Sequence, residues 1–124
     1  MPKPEILKIQ VTEVLDWYDG PLCVQGRTLE TREPVFAMVV DDLADGRRIW
    51  LAVRVAPETI QGLLRNEIPL RDAFTIRRIG NAYISEMIHD KGRATIAELL
   101  KEPSDDWLPA QNVFLRYKPV PRRQ

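Results

Sequence analysis

The amino-acid sequence predicts a single α+β domain: an antiparallel meander of about four to five strands carrying two or three short helices. Three observations predict it. Strand-like apolar runs begin at Leu22, Val35 and Ile49, each bounded by turn residues. After Pro57 the apolar period lengthens from that of a strand to that of a helix. The chain has 124 residues, 44% hydrophobic and 29% charged, which suits one packed domain of roughly 100–150 residues. A chain of this size buries about two-thirds of its unfolded surface and needs no disulfide or metal to hold it.

Residues 1–5 include two prolines and are expected to form a flexible N-terminus. The domain proper is expected over 6–117, and 118–124 reads as a basic, proline-containing tail. Between Ile6 and Trp17 two readings compete. Leu7, Val11, Val14 and Leu15 fit a helical face, whereas Ile9, Val11 and Thr12 favour a strand. Asp19-Gly20-Pro21 marks a turn with strand-like residues on both sides, so a β-hairpin is preferred. Leu22 to Leu29 is the second strand, and Glu30 to Pro34 a polar turn. Val35 to Val40 is apolar on both faces, as suits a central strand covered on each side. Asp45-Gly46 signals a hairpin, because a type I′ turn needs positive φ at both central positions. In the returning strand Ile49, Leu51, Val53 and Val55 share one face, and Trp50 and Arg54 the other.

Pro57 is tolerated in a first helical turn, Glu58 suits the positive helix start, and Ile60, Leu63 and Leu64 form a one-sided stripe. After Pro69, Leu70 to Phe74 reads as a short helical turn with Leu70 and Phe74 inward. Ala82 to Ile88 is a further strand, followed by a turn at Asp90-Lys91-Gly92. Thr95-Ile96-Ala97-Glu98 matches a capping box, which predicts a helix to about Lys101 stopped by Pro103. Val113 to Tyr117 is a last strand or an extended arm.

The 18 basic and 18 acidic residues cancel, which argues against a surface built wholly for nucleic acid and favours self-association or a protein partner. Cys23 is the only cysteine, and residues 1–5 carry no apolar stretch of a signal peptide. The longest apolar run, Val35 to Val40, falls far short of the roughly 18–20 residues that span a bilayer. The expected compartment is the cytoplasm, with no membrane contact.

No phosphate loop, dinucleotide fingerprint or nucleophile elbow is present. One His and one Cys exclude a structural zinc site, and Asp41, Asp42 and Asp45 lack the distal glutamate of a calcium loop, so they read as the acids of a hairpin turn. Cys23 and His89 could form a nucleophilic pair, but a cysteine inside a strand reads first as a buried core residue. The carboxylate candidates are Asp16 and Asp19, which flank Trp17-Tyr18 and suggest a small hydrolase-like enzyme as one alternative. Otherwise the sequence implies no catalytic residue, metal or cofactor. The partner-binding candidates are Trp50, Arg54, Trp107, Arg116, Arg122 and Arg123. An exposed Trp50 beside Arg54 would make an interface anchor, and a buried one would be core. The pairs Arg47-Arg48 and Arg77-Arg78, with the basic tail, carry a nucleic-acid alternative.

Asp16-Trp17-Tyr18-Asp19-Gly20-Pro21-Leu22 and Ile68-Pro69-Leu70-Arg71-Asp72-Ala73-Phe74 resemble a family of small bacterial domains of unknown function. The likeness continues at Trp50 to Val53, Leu63-Leu64 and Asp106 to Pro109. The resemblance implies a strand–turn–strand start and a bacterial or phage cytosolic origin, and transfers no catalytic residue. The functional expectation is a non-enzymatic protein-interaction or regulatory module.

Overall fold

The computed structural model describes residues 6–17, 21–43, 45–90, 93–100 and 108–116. The expected flexible start at 1–5, the tail at 118–124, and Tyr18, Asp19, Lys91, Trp107, Arg122 and Arg123 lie outside the described residues. Strands β1 (Ile6–Trp17), β2 (Pro21–Thr28), β3 (Pro34–Asp42), β4 (Arg48–Val55) and β5 (Arg78–Glu86) form an antiparallel meander. Helices α1 (Pro57–Leu64) and α2 (Leu70–Phe74) interrupt it between β4 and β5. The short β6 (Ile88–Asp90) continues beyond β5, and β7 (Arg93–Leu100) pairs back against both. The result is broadly α+β and mostly sheet.

The sheet does not stop at the meander. Its seven strands run β1-β2-β3-β4-β5-β7-β6, and β7 also pairs with β1, from Ile6 opposite Ala97 to Gln10 opposite Arg93. The ring β1-β2-β3-β4-β5-β7 therefore closes into a barrel, which removes most open edges. The meander has five strands, as expected, and β6 and β7 extend the sheet to seven. One expectation is corrected: Thr95 to Leu100 is strand, not helix. A capping box acts locally, within one turn. Here β7 instead gains backbone partners on both sides, from β1 and from β5 and β6. The other ambiguous segment, 6–17, is a strand, paired with β2 down to Trp17 opposite Pro21.

Closure divides the apolar residues into two sets. Leu7, Ile9, Val24, Val35, Ala37, Trp50, Ala52 and Tyr83 pack together, and all of them come from strands. They fill the barrel interior. Phe36, Leu51, Val53, Val55 and Ile84 point outward and are covered by Leu63 of α1, Ala73 and Phe74 of α2, and Leu115. The expectation for β3 holds: Val35 and Ala37 face the interior while Phe36 faces the helices. The Phe36 and Phe74 rings meet with centroids 5.5 Å apart and planes tilted by 44°, which fixes α2 on the sheet.

Local chemistry places the helices. Pro57 opens α1 and Glu58 lies in its first turn. Asn66 takes φ 58, and its N–H donates to the Leu63 carbonyl (3.2 Å) while that of Glu67 donates to Gly62 (2.9 Å). That is a Schellman stop with asparagine in the left-handed position. Residues 113–116 form no strand. They belong to an arm lying on α2, where the Leu70 N–H donates to the Val113 carbonyl (2.8 Å) and Arg71 Nη1 to that of Pro109 (3.1 Å). At the β3–β4 turn Gly46 takes φ 86 and its N–H donates to the Leu43 carbonyl (3.0 Å), so Gly46 closes the turn and does not sit at its centre as the expected type I′ turn requires. No helix among the described residues is long and apolar enough to cross a membrane.

Candidate functional site

Closure brings the start of β1, the end of β2 with its following turn, the end of β4 and the start of β5 to one end of the barrel. Arg54 stands there at an inward-facing position. It is opposite Val35 in register, and Val35 belongs to the apolar interior. The interior of β4 thus reads Trp50, Ala52, Arg54, and the guanidinium closes the apolar column at its mouth.

A hydrogen-bonded chain meets it from the 29–33 turn. Glu33 Oε1 accepts from Arg54 Nη1 (3.3 Å) and from the Thr31 hydroxyl (2.8 Å). The Thr31 proton is thereby committed, so in the Thr28–Thr31 contact of 2.6 Å Thr28 is the donor. The Glu33 N–H donates to Thr28 Oγ1 (3.0 Å), and the Thr28 N–H to the Glu33 carbonyl (2.9 Å). Thr28 is buried, so its hydroxyl is satisfied on both counts, as a buried polar group requires. Arg32 tightens the turn by taking φ 63, and its carbonyl accepts from Arg27 Nη1 (3.1 Å).

Arg54 is only partly satisfied. Its side chain is 28% exposed, yet Nε is buried with no partner among the described residues. A Cβ added at Gly80, itself at φ 71, would lie 2.5 Å from Arg54 Nη2, so the glycine leaves room for the guanidinium. Beside these groups lies a cleft of about 370 Å³, lined among others by Ile6, Lys8, Glu30, Thr31, Glu33 and Arg54. It falls at the small end of ligand sites, which hold roughly 300–1,000 Å³.

The remaining candidates are not brought together. Trp50 is 5% exposed inside the barrel, which decides for the core reading and against a surface anchor beside Arg54: the indole fills the column that Arg54 caps. Arg116 is exposed at φ 55 on the arm. Asp16 is exposed on β1 opposite Cys23. Asp42 pairs with Arg48 (3.0 Å) and Asp45 with Arg47 (2.6 Å), which engages one arginine pair and the hairpin acids with each other. No group of three or more His, Cys, Asp or Glu among the described residues could hold a metal.

Cys23 is buried, and burial followed by the nearby Asp16 charge pushes its thiol from 9.0 up to about 12. Such a thiol is inert as a nucleophile. A pKa raised on folding stabilises the fold fully below 9.0, and that contribution is lost as pH climbs through about 12. At pH 8 the native thiolate fraction is therefore far below that of the unfolded chain, so maleimide labelling should be negligible until denaturant is added. Fast labelling of the native protein would contradict this burial.

Sequence reasoning named Arg54 but missed Glu33, Thr28 and Thr31. The signal for Arg54 was the alternation of β4. The others sit at the end of β2 and in and just after the polar turn that follows, whose approach to Arg54 no local pattern reveals. No family model, curated protein or solved structure matches the chain.

Proposed function

We propose that this domain is a non-enzymatic protein-interaction module whose contact surface is the barrel end around Ile6, Ile76 and Ile79. The observation that supports it most is Ile76, 76% exposed in the connection between α2 and β5. Ile6 is 56% exposed at the start of β1, and Ile79 is 41% exposed at the start of β5, opposite Arg54. Ile6 lines the cleft with Arg54, so these aliphatic side chains share one end. A single exposed aliphatic is ordinary, whereas several at one end of a barrel suit a partner's apolar surface. Exposed Arg77 adjoins Ile76 and favours a partner with acidic residues at the rim.

The test compares wild type with Ile76→Asp and Ile79→Asp in affinity capture from the source cells. It is run at about 0.5 M salt, where surface charge pairs are screened. Both positions are exposed, so folding should hold within about 0.5 kcal/mol. A stoichiometric protein retained by wild type and lost by the variants supports the reading. Equal capture by all three removes it. Nucleic acid that washes off in this salt would put the arginine-pair alternative in its place.

A further inference from the structure

We propose that the Arg54–Glu33 cleft binds a small zwitterion of the α-amino-acid type, its carboxylate on Arg54 and its ammonium on Glu33. This is a small-molecule site: it shares Ile6 with the interaction surface, but Arg54 and Glu33 carry it rather than Ile76 and Ile79.

The argument begins with the charge of the lining. Lys8 and Arg54 bring positive charge into the cleft, and Glu30 and Glu33 bring negative charge. A ligand of one sign meets repulsion from half of these groups. A molecule carrying both signs finds a partner for each, and this selects zwitterions over simple acids and amines.

Unused hydrogen-bonding capacity supports this. A guanidinium has five donors, and among the described residues one of those of Arg54 is committed, through a single bond of 3.3 Å to one oxygen of Glu33. That is longer than the roughly 2.7–2.9 Å of a strong charge-assisted bond, so the pair leaves the fork of Arg54 open to a carboxylate. Nε also has no partner among the described residues, but it is buried, so the donors open to a ligand are those of the two terminal nitrogens. On Glu33 both bonds fall on Oε1, leaving Oε2 to accept from an ammonium. The groups are held in place in advance: Thr31 fixes the carboxylate, and Gly80 gives the guanidinium its seat. Ile6 and Leu7 supply an apolar wall for an aliphatic side chain. The volume of about 370 Å³ limits the ligand to a free amino acid or a very short peptide.

The experiment titrates the purified full chain with L-leucine and two analogues, 3-methylbutylamine without the carboxylate and 4-methylpentanoate without the ammonium. Backbone amide NMR shifts are followed to about 10 mM ligand, which detects millimolar dissociation constants. The expected result is saturable shifts at residues 6–8, 28–33 and 54 with leucine, and at least about tenfold weaker binding of each analogue. Arg54→Met and Glu33→Gln should each weaken leucine binding by about tenfold or more, and Arg54→Lys by less. Thermal unfolding checks each variant, and Lys8→Met, on an exposed rim residue, replaces any that fails to fold. The proposal is overturned if leucine does not bind, if either analogue binds as tightly, or if the folded variants bind leucine like wild type. Since no protein partner is present, its failure leaves the Ile76 surface to be judged on the capture experiment alone.

Discussion

Trp50→Ala is expected to destabilise the protein by about 3–5 kcal/mol, the usual cost of truncating a buried Trp or Phe to Ala. The indole is 5% exposed and packs with Leu7, Ala52 and Tyr83 inside a closed barrel. Closure limits the collapse that could refill the space, because each wall strand is bonded to both neighbours. Domains of this kind are stable by only about 5–15 kcal/mol, so the variant should lose much of its margin. Urea unfolding followed by far-UV circular dichroism measures this directly. An unchanged midpoint, with loss of partner capture, would place Trp50 on the surface and overturn the barrel interior described here.

Gly26→Ala should rival it. Gly26 lies on β2, paired with Val11 on one side and Val35 on the other. A Cβ at this position would overlap the Gln10 carbonyl oxygen and press on Ile9 Cγ2 at 2.7 Å. A backbone oxygen in a paired strand cannot rotate away as a side chain can, so β1 itself must shift. Overpacking typically costs about 1–3 kcal/mol, and this case should reach or exceed the top of that range. Gly46→Ala is the internal control. Among the described residues nothing lies within 4 Å of its added Cβ, and its φ of 86 resists the change, for a cost of about 1 kcal/mol. Thermal melts should rank Gly26→Ala well below Gly46→Ala. The reverse order would mean that β1 and β2 do not approach so closely.

The parts of the fold that could be read in the sequence are those specified locally. The alternation of Ile49, Leu51, Val53 and Val55 located the helix-covered face of β4, and the two-sided apolar run of β3 implied cover on both faces. Pro57, Glu58 and the stripe through Leu63 located α1. What could not be read depends on distant pairing. Thr95 and Glu98 satisfy a local helix rule, yet β7 is a strand because β1 and β5 offer it partners. The same holds for the candidate site. Arg54 was visible as a charge on an apolar face, but Glu33 reaches it across 21 residues only once β3 and β4 have paired. Trp50 looked ambiguous because burial on its face depends on closure, which no short window contains.

The pairing of Ile6 with Ala97 also sets an order of events. Residues close in sequence can form β2, β3 and β4 early, at little cost in chain entropy. The seam between β1 and β7 must wait until residues 93–100 are available, and its loop-closure cost falls late. During synthesis the β7-side edge of β1 therefore emerges well before its partner and stays uncovered until β7 follows. That edge carries Ile6 and Leu7, and until β7 arrives it is a template for pairing with another nascent copy. Folding of this chain should accordingly be slow, limited by seam closure, and more prone to aggregation when translation stalls before residue 93 than after residue 100.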